Sequence, residues 1–480
     1  MNVVHRIKNL YKAVNQAIRS VAQEESRNLS SNSGAYSRPG SQKVDLESYI
    51  KMGVLHAGGT LSDVAANYFG QGSIRPSASA LSQAKRKTPL YIAENVFRKT
   101  NSLYIKQYTD HKRDNPILKG YIPILIDGSN EPIPPDISEP EYLILKKNTA
   151  IIIRAGIHIN AAYDALNRKY LRIVFQDQKN KDEREAAKEI IEWFKKTYPD
   201  EKFIFIMDRG YFSYSLSALC NTYGYKYVIR MKDRDYEALA LQSIDVPADQ
   251  QVDRILTWHL RKEEREDPQM KYLAKRSLQE IESSAEWVGF SARLVSFKIG
   301  PASYEGLITN LSSDEFSAAA LKLLYHGRWK IESSFSWLKY GVGAKRILSR
   351  KAEYIKQEIL FSMVFYNLCS EIDLMIEDSE AKGTCIEDTK NTDTVELKSA
   401  CENKEKGTRY EYQPNFTKAI RSIRKFLVGQ WHSNGTRKQI SIRRIQDLVE
   451  EISREKLPIR PGRSFPRNMH PNRLIPFQYR

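Results

Sequence analysis

Two short apolar runs constrain what this chain can fold into more than any other feature. "YIPILID" ends in Asp127 and "FIFIMD" ends in Asp208. Continuous apolar runs of this length suit central strands buried on both faces of a sheet. Between them, "TAIIIRAGIHI" and "KYLRIVFQD" read as two further strands. "KDEREAAKEIIEWFKKTY" follows as an amphipathic helix with its acids early and its lysines late, matching the helix dipole. After Asp208 come a helix ("SLSALCNTYG") and a strand ("KYVIRM"). The expected order is β-β-β-α-β-α-β, an α/β core over residues 115–231. A lone Asp closing a strand is usually a turn former. Two of them in this order, with a carboxylate on a helix downstream, make a candidate site.

That helix is "YHGRWKIESSFSWLK", residues 325–339. At 100° per residue, Arg328, Glu332 and Lys339 fall within about 60° of Tyr325 on one narrow face. Leu324, Ile331, Phe335 and Leu338 form the adjoining strip, which suits burial. Taken alone, the pattern is also that of a surface helix with an Arg–Glu pair at i, i+4, contributing a few tenths of a kcal/mol. The rest of the chain decides between the two.

Lys plus Arg number 75 against 58 Asp plus Glu, a net charge of +17. An excess this large points to a polyanion, and nucleic acid is the first candidate. A membrane surface is the second, but no apolar run is expected to approach bilayer-spanning length. Cys220, Cys369, Cys385 and Cys401 show no CxxC spacing, so neither a zinc site nor a disulfide framework is expected, and a reducing cytosol is the natural home.

Residues 1–100 read as a mainly helical, DNA-binding region. "MNVVHRIKNLYKAVNQAIRSV" is acid-free and amphipathic; an organellar transit peptide shares that pattern, and an ordinary basic helix is favoured. Residues 24–44 read as a flexible linker. "TLSDVAANYF", "GQGSIRPS" and "ASALSQAKRKT" are compatible with a helix-turn-helix. Residues 232–303 read as an insertion ending in strand-like segments, and 304–374 as the second part of the core. Residues 375–406 carry nine acids against five lysines and read as a polar linker. Residues 407–480 carry sixteen Lys/Arg against five acids, including Arg421, Arg424, Lys425, Arg437, Lys438, Arg443 and Arg444, and suit a grip on a DNA backbone.

Phosphoryl transfer on DNA uses divalent metals to activate an oxygen nucleophile and stabilise the leaving oxygen. Hard ions such as Mg²⁺ take carboxylate oxygens and keep several waters, so two or three acids suffice. Asp127, Asp208 and Glu332 are such a set, and parallel pairing of the first and fourth strands would let them converge. Tyr325, Arg328 and Lys339 would then face the bound phosphates.

Tyr-x2-Arg-x3-Glu-x6-Lys resembles the signature of DDE transposases of the insertion-sequence-4 type. "LITNLSSDEFSAAALKLLYHGRWKIESSFSWLK" looks like that family's third-acid region, and "LIDGS" and "IMDRGYFS" resemble its blocks around the two Asp residues. "SALSQAKRK" is similar to a stretch of the family's N-terminal DNA-binding region. The resemblance spans roughly residues 75–365. It implies an RNase H-like core with a β-rich insertion, catalysis by Asp127, Asp208 and Glu332 with two Mg²⁺ or Mn²⁺ ions, and cut-and-paste transposition. It also implies a homodimer bridging two double-stranded terminal inverted repeats and joining them to target DNA, in the nucleoid-bearing cytoplasm of a prokaryote. Tyr304 stands near where related enzymes stack a flipped base, and Trp287 is a second candidate. The alternatives are an RNase H-like nuclease or domesticated transposase without strand transfer, and a non-catalytic DNA-binding protein.

Overall fold

A strand covered on both sides can be apolar at every position, and Ile124–Ile126 and Phe203–Met207 are almost wholly inaccessible to solvent. The computed structural model describes residues 2–33, 35, 36, 44–56, 58, 60–69, 75–111, 118–134, 139–145, 152–231, 250–261, 287–300, 303–345, 347, 349–381, 412–431 and 441–458. The chain forms two compact units. One comprises Ile105–Pro132 and Pro140–Ser336, the other Met1–Tyr104, Ile133–Glu139 and Trp337–Arg480.

Five helices open the chain: α1 (Val3–Ser33), α2 (Leu46–Leu55), α3 (Leu61–Phe69), α4 (Ala78–Lys87) and α5 (Leu90–His111). Ile7, Leu10, Val14, Ile18, Val21, Glu25 and Leu29 make one buried stripe along α1. Because that stripe continues past residue 24, the first ten residues of the expected linker are helical. Glu25 is kept on the stripe by the side-chain amides of Asn28 and Asn95, at 3.2 and 2.9 Å. Thr60 and Asp63 cap α3 reciprocally, and Ser77 caps α4 through the Ala80 N–H at 3.3 Å.

The sheet unit follows in the expected order, with one short strand added. Its strands are β1 (Ile122–Pro132), β2 (Leu143–Leu145), β3 (Ile152–Asp164), β4 (Lys169–Gln176), β5 (Phe203–Met207), β6 (Lys226–Arg230), β7 (Val252–Arg261), β8 (Trp287–Gly300) and β9 (Ser303–Thr309). Helices α6 (Glu183–Thr197) and α7 (Tyr214–Thr222) connect β4 to β5 and β5 to β6. The strands lie in the order β2-β3-β1-β5-β6-β9-β8-β7, with β4 also paired to β3. β1, β5 and β6 are parallel, and β3 is antiparallel to both β1 and β4. Ile190, Ile191 and Phe194 of α6 pack with Phe203, Phe205 and Tyr225 in a cluster of edge-on rings. The described part of the 232–303 insertion continues this same sheet, through β9 on β6 and β8 on β9; residues 232–249 and 262–286 lie outside the described residues.

Beyond β9 come α8 (Ala318–His326), α9 (Trp329–Ser336), a π-helical segment (Trp337–Val342) and the long α10 (Ala352–Ala381). The helical unit resumes at Trp337, and residues 375–381 of the expected linker are helical. Residues 382–406 lie outside the described residues. α10 also corrects the expectation about apolar runs. Ala352–Glu380 is long and apolar enough to cross a bilayer, but its most apolar 18-residue stretch, of mean hydropathy 1.5, is buried in the protein. Polar bonds key it to the N-terminal helices: Tyr49 to Gln357 (2.9 Å), Gln357 to the Thr88 carbonyl (2.6 Å) and Asn367 to Asn101 (2.9 Å).

The chain ends in β10 (Tyr412–Pro414), α11 (Phe416–Trp431), α12 (Ile442–Arg454) and β11 (Lys456–Pro458). Not all the basic residues expected to grip DNA face solvent. Arg424 donates to the Val342 carbonyl at 2.6 Å and lies over the Phe365 ring, and Lys85 of α4 pairs with buried Glu358. Arg421, Lys425, Arg443, Arg444, Arg86 and Lys87 are exposed, whereas Arg437 and Lys438 lie outside the described residues.

Candidate active site

Strand register decides where the first two acids go. β1 and β5 pair in parallel up to Ile126 opposite Met207. Asp127 and Asp208 are the next residues on each, so they stand side by side where the two strands part, on backbones about 4.8 Å apart. β1 does not end at Asp127, as its sequence suggests; it continues against β3 to Pro132 opposite Gly156. Only its pairing to β5 stops there. Asp127 Oδ1 accepts from the Gly128 N–H at 2.8 Å.

The third acid arrives from the other side of the chain. Ser317 caps α8 through the Ala320 N–H at 3.2 Å, and α8 brings up buried Tyr325. The Tyr325 hydroxyl donates to Asp208 Oδ1 at 3.1 Å. The helix then breaks. Arg328, Lys330 and Ile331 donate their backbone N–H groups three residues back, to Tyr325, Gly327 and Arg328, a tighter winding than the α-helix. After α9 the winding loosens again into the π segment. A single helical face running from Tyr325 to Lys339 is therefore not what forms. Ile331, Phe335 and Leu338 are buried as expected, while Leu324 is only half-buried.

Side-chain reach achieves what helical phase does not. Arg328, only 5% exposed, donates Nη2 to Glu332 Oε1 at 2.7 Å and Nη1 to Asp127 Oδ2 at 3.4 Å. Its guanidinium lies near the rings of Tyr325 and Trp329, at 5.7 and 5.6 Å. Arg328 thus joins two acids and Tyr325 holds the third. Lys339 lies in the π-helical segment, which belongs to the helical unit. Tyr304 lies on β9 opposite Lys298 and is half-buried; the side chain of Trp287 is outside the described residues.

Arg293 fixes the approach of α8. It is buried on β8, grips Asp253 of β7 with two bonds of 2.6 and 2.7 Å, and donates Nη1 to the carbonyls of Phe316 and Ser312 at 2.6 and 3.1 Å. These bonds anchor the loop that leads into α8 to the strands of the insertion.

The electrostatics follow from crowding partly buried acids around one arginine. Burial pushes the Asp127 carboxyl up to about 7; Glu332 and Asp208 push the same way, against Arg328 and the Gly128 N–H. Burial works against the Arg328 charge, but Tyr325, Asp208, Asp127 and Glu332 hold its pKa above the ordinary value. Burial likewise raises Tyr325, aided by Asp208. On β9, burial raises Glu305, which pairs with Arg230 at 3.1 Å.

An all-oxygen donor set suits a hard divalent cation such as Mg²⁺ or Mn²⁺. A carboxyl pushed up by burial and like charge lacks counter-charge in its ionised form, and a cation would supply it. On donor chemistry the residues fit. Among the described residues no three His, Cys, Asp or Glu side chains are already drawn together as a metal-holding group, and Arg328 stands between Asp127 and Glu332.

Two residues that the sequence reading passed over flank the strand-borne acids. Buried His158 of β3 places Nε2 3.4 Å from Glu183 Oε1 at the start of α6, and Glu183 also meets Lys181 at 3.4 Å. Glu183 looked like one of several early acids matched to a helix dipole, and nothing local in "GIHI" marks His158. The one available signal was a glycine directly after Asp127 and another two residues after Asp208.

Against known families, residues 120–368 match the model described as Transposase DDE domain. Among solved structures, the chain is similar to a piggyBac transposase synaptic complex with hairpin DNA, with a TM-score of 0.42 and 11% identity, over 96% of this chain and 87% of that one. No curated protein matches the chain. With more than half its length matched to that one domain, the chain belongs to the DDE-domain transposases.

Proposed function

We propose that this transposase is of the insertion-sequence-4 type, encoded by a prokaryotic insertion sequence, and moves DNA by cut-and-paste. The observation that carries the reading is the convergence of Asp127 and Asp208, adjacent at the parting of β1 and β5, with Glu332 joined to Asp127 through Arg328. The strand order β4-β3-β1-β5-β6, three antiparallel strands then two parallel ones with helical crossovers, supports an RNase H-like core.

Asp127, Asp208 and Glu332 would hold two Mg²⁺ or Mn²⁺ ions, which supply nucleophile activation and leaving-group stabilisation when bound. Tyr325 orients Asp208 through its hydroxyl. Arg328 keeps Asp127 and Glu332 together through its two hydrogen bonds, and its guanidinium is the group that would meet a phosphate beside them. Lys339 and Tyr304 contact DNA. The enzyme acts in the cytoplasm, as a homodimer on two terminal inverted repeats and a target duplex, with no part played by a membrane.

The test is cleavage of a duplex carrying the element's ends, with Mg²⁺ or Mn²⁺. Asp127→Asn, Asp208→Asn and Glu332→Gln should each abolish cleavage while DNA binding persists, since removing a carboxylate removes repulsion of phosphate. A variant that still cleaves at near-normal rate removes its residue from the set. Cleaved ends that are never recovered joined to target DNA would assign the chain to nuclease chemistry instead.

A further inference from the structure

The residues following the two strand-borne acids share one unusual neighbour. A Cβ on Gly128 would lie 2.8 Å from His158 Nε2 and 3.1 Å from Glu183 Oε1. A Cβ on Gly210 would lie 2.9 Å from Glu183 Oε2. The His158 ring and one Glu183 oxygen therefore fill the space beside Gly128, next to Asp127, and the other Glu183 oxygen fills the space beside Gly210, near Asp208.

Several contacts hold that carboxylate in place. His158 is 1% exposed, with Nδ1 3.1 Å from Asn130 Oδ1, which also accepts from Gln178 at 3.3 Å. Its Nε2 is aimed at Glu183 Oε1 across 3.4 Å. The next residue of α6, Arg184, donates Nε to the Gly210 carbonyl at 3.3 Å. Asp182 caps the helix through the Arg184 and Glu185 N–H groups, at 3.0 and 3.3 Å. The first turn of α6 is thereby locked onto the Asp208–Gly210 turn and against β1 together.

We propose that Glu183, backed by His158, is a positioning residue that holds the parting ends of β1 and β5 so that Asp127 and Asp208 face one another. It touches neither carboxylate and acts through Gly128 and Gly210. A rigid spacer is needed here because the strands no longer bond to each other beyond Ile126 and Met207. The proposal rests on the assignment of Asp127 and Asp208 as the catalytic acids.

The test uses full-length Glu183→Ala, Glu183→Asp and Glu183→Gln, with two readouts. Single-turnover cleavage should fall about 10- to 100-fold in the Ala and Asp variants, the range typical of losing an outer support of a metal site. The Gln variant, which keeps the side-chain length, should recover most of the rate. In metal-free, DNA-free protein, deuterium uptake should rise in peptides covering 122–132 and 203–213 for Ala and Asp, with melting temperature and DNA affinity little changed. Should the Ala variant fail to fold, Asp against Gln decides by the same criteria. Wild-type cleavage in the Asp variant, or altered exchange confined to α6, overturns the proposal. Normal cleavage by Asp127→Asn and Asp208→Asn would overturn the site assignment instead, and the exchange measurement would still judge Glu183.

Discussion

Arg328 is the residue whose environment differs most from what its sequence position suggests. As one half of an exposed i, i+4 pair it would contribute about 0–1 kcal/mol to folding. It is instead buried and shared by two carboxylates. Removing one partner of a charged hydrogen bond costs about 1.5–3 kcal/mol, so Arg328→Ala should lower stability measurably as well as cleavage. Thermal melts with and without Mg²⁺ check this; an unchanged melting temperature would mean the bridge contributes nothing. Asp127 adds a pH test in metal-free protein. Its folded pKa of about 7 is above the unfolded value near 3.9, so the native state holds the extra proton between them. Stability should decline as pH rises from about 4 to about 7. Asp127→Asn should flatten that decline, an effect of a few kcal/mol at most. Chemical denaturation at pH 5 and pH 8, in chelator, gives the answer; equal slopes for both proteins would contradict the raised pKa.

Among elements, the α2–α10 contact shows packing overriding propensity. Gly53 sits inside α2, where Ala would favour the helix by up to about 1 kcal/mol. A Cβ there would lie 2.5 and 2.8 Å from two ring carbons of Phe361, which is itself buried. Overpacking of this kind costs about 1–3 kcal/mol, so Gly53→Ala should destabilise despite its helix propensity. A melting temperature equal to or above wild type would show that the ring can move aside. The site elements follow the same logic. The sequence pattern of α8 and α9 reads as one continuous helix, and its apolar strip is largely right. The change of winding at Gly327–Arg328 depends on which groups Tyr325 and Arg328 can reach across the sheet, and local spacing carries no information about that.

At the scale of the whole molecule, the +17 charge predicts DNA affinity that falls steeply with salt. Deleting the entire basic region from residue 407 is not a clean test. It would remove α11 and α12, whose Ile420, Ile423, Leu427, Ile445 and Leu448 are buried. Truncation after Pro458 removes Arg460, Arg463, Arg467, Arg473 and Arg480 and leaves both helices intact. If those arginines lie on phosphates, the slope of log affinity against log salt should flatten by up to about 0.9 for each one engaged. An identical slope in the truncated protein would take that segment off the DNA.

The sequence by itself determined the succession of strands and helices around the two acids, the apolar stripe of α1 and the placing of Asp127, Asp208 and Glu332 on three different elements. Those follow from hydrophobic period and run length, which each segment carries locally. The tertiary structure alone decided that Asp127 and Asp208 are neighbours, because parallel register is a relation between strands some eighty residues apart in the chain. It alone turned Arg328 inward, since burial beside two carboxylates depends on what packs around a side chain. Only the fold, too, could set Glu183 between two glycines, because the space a missing Cβ leaves is defined by distant neighbours.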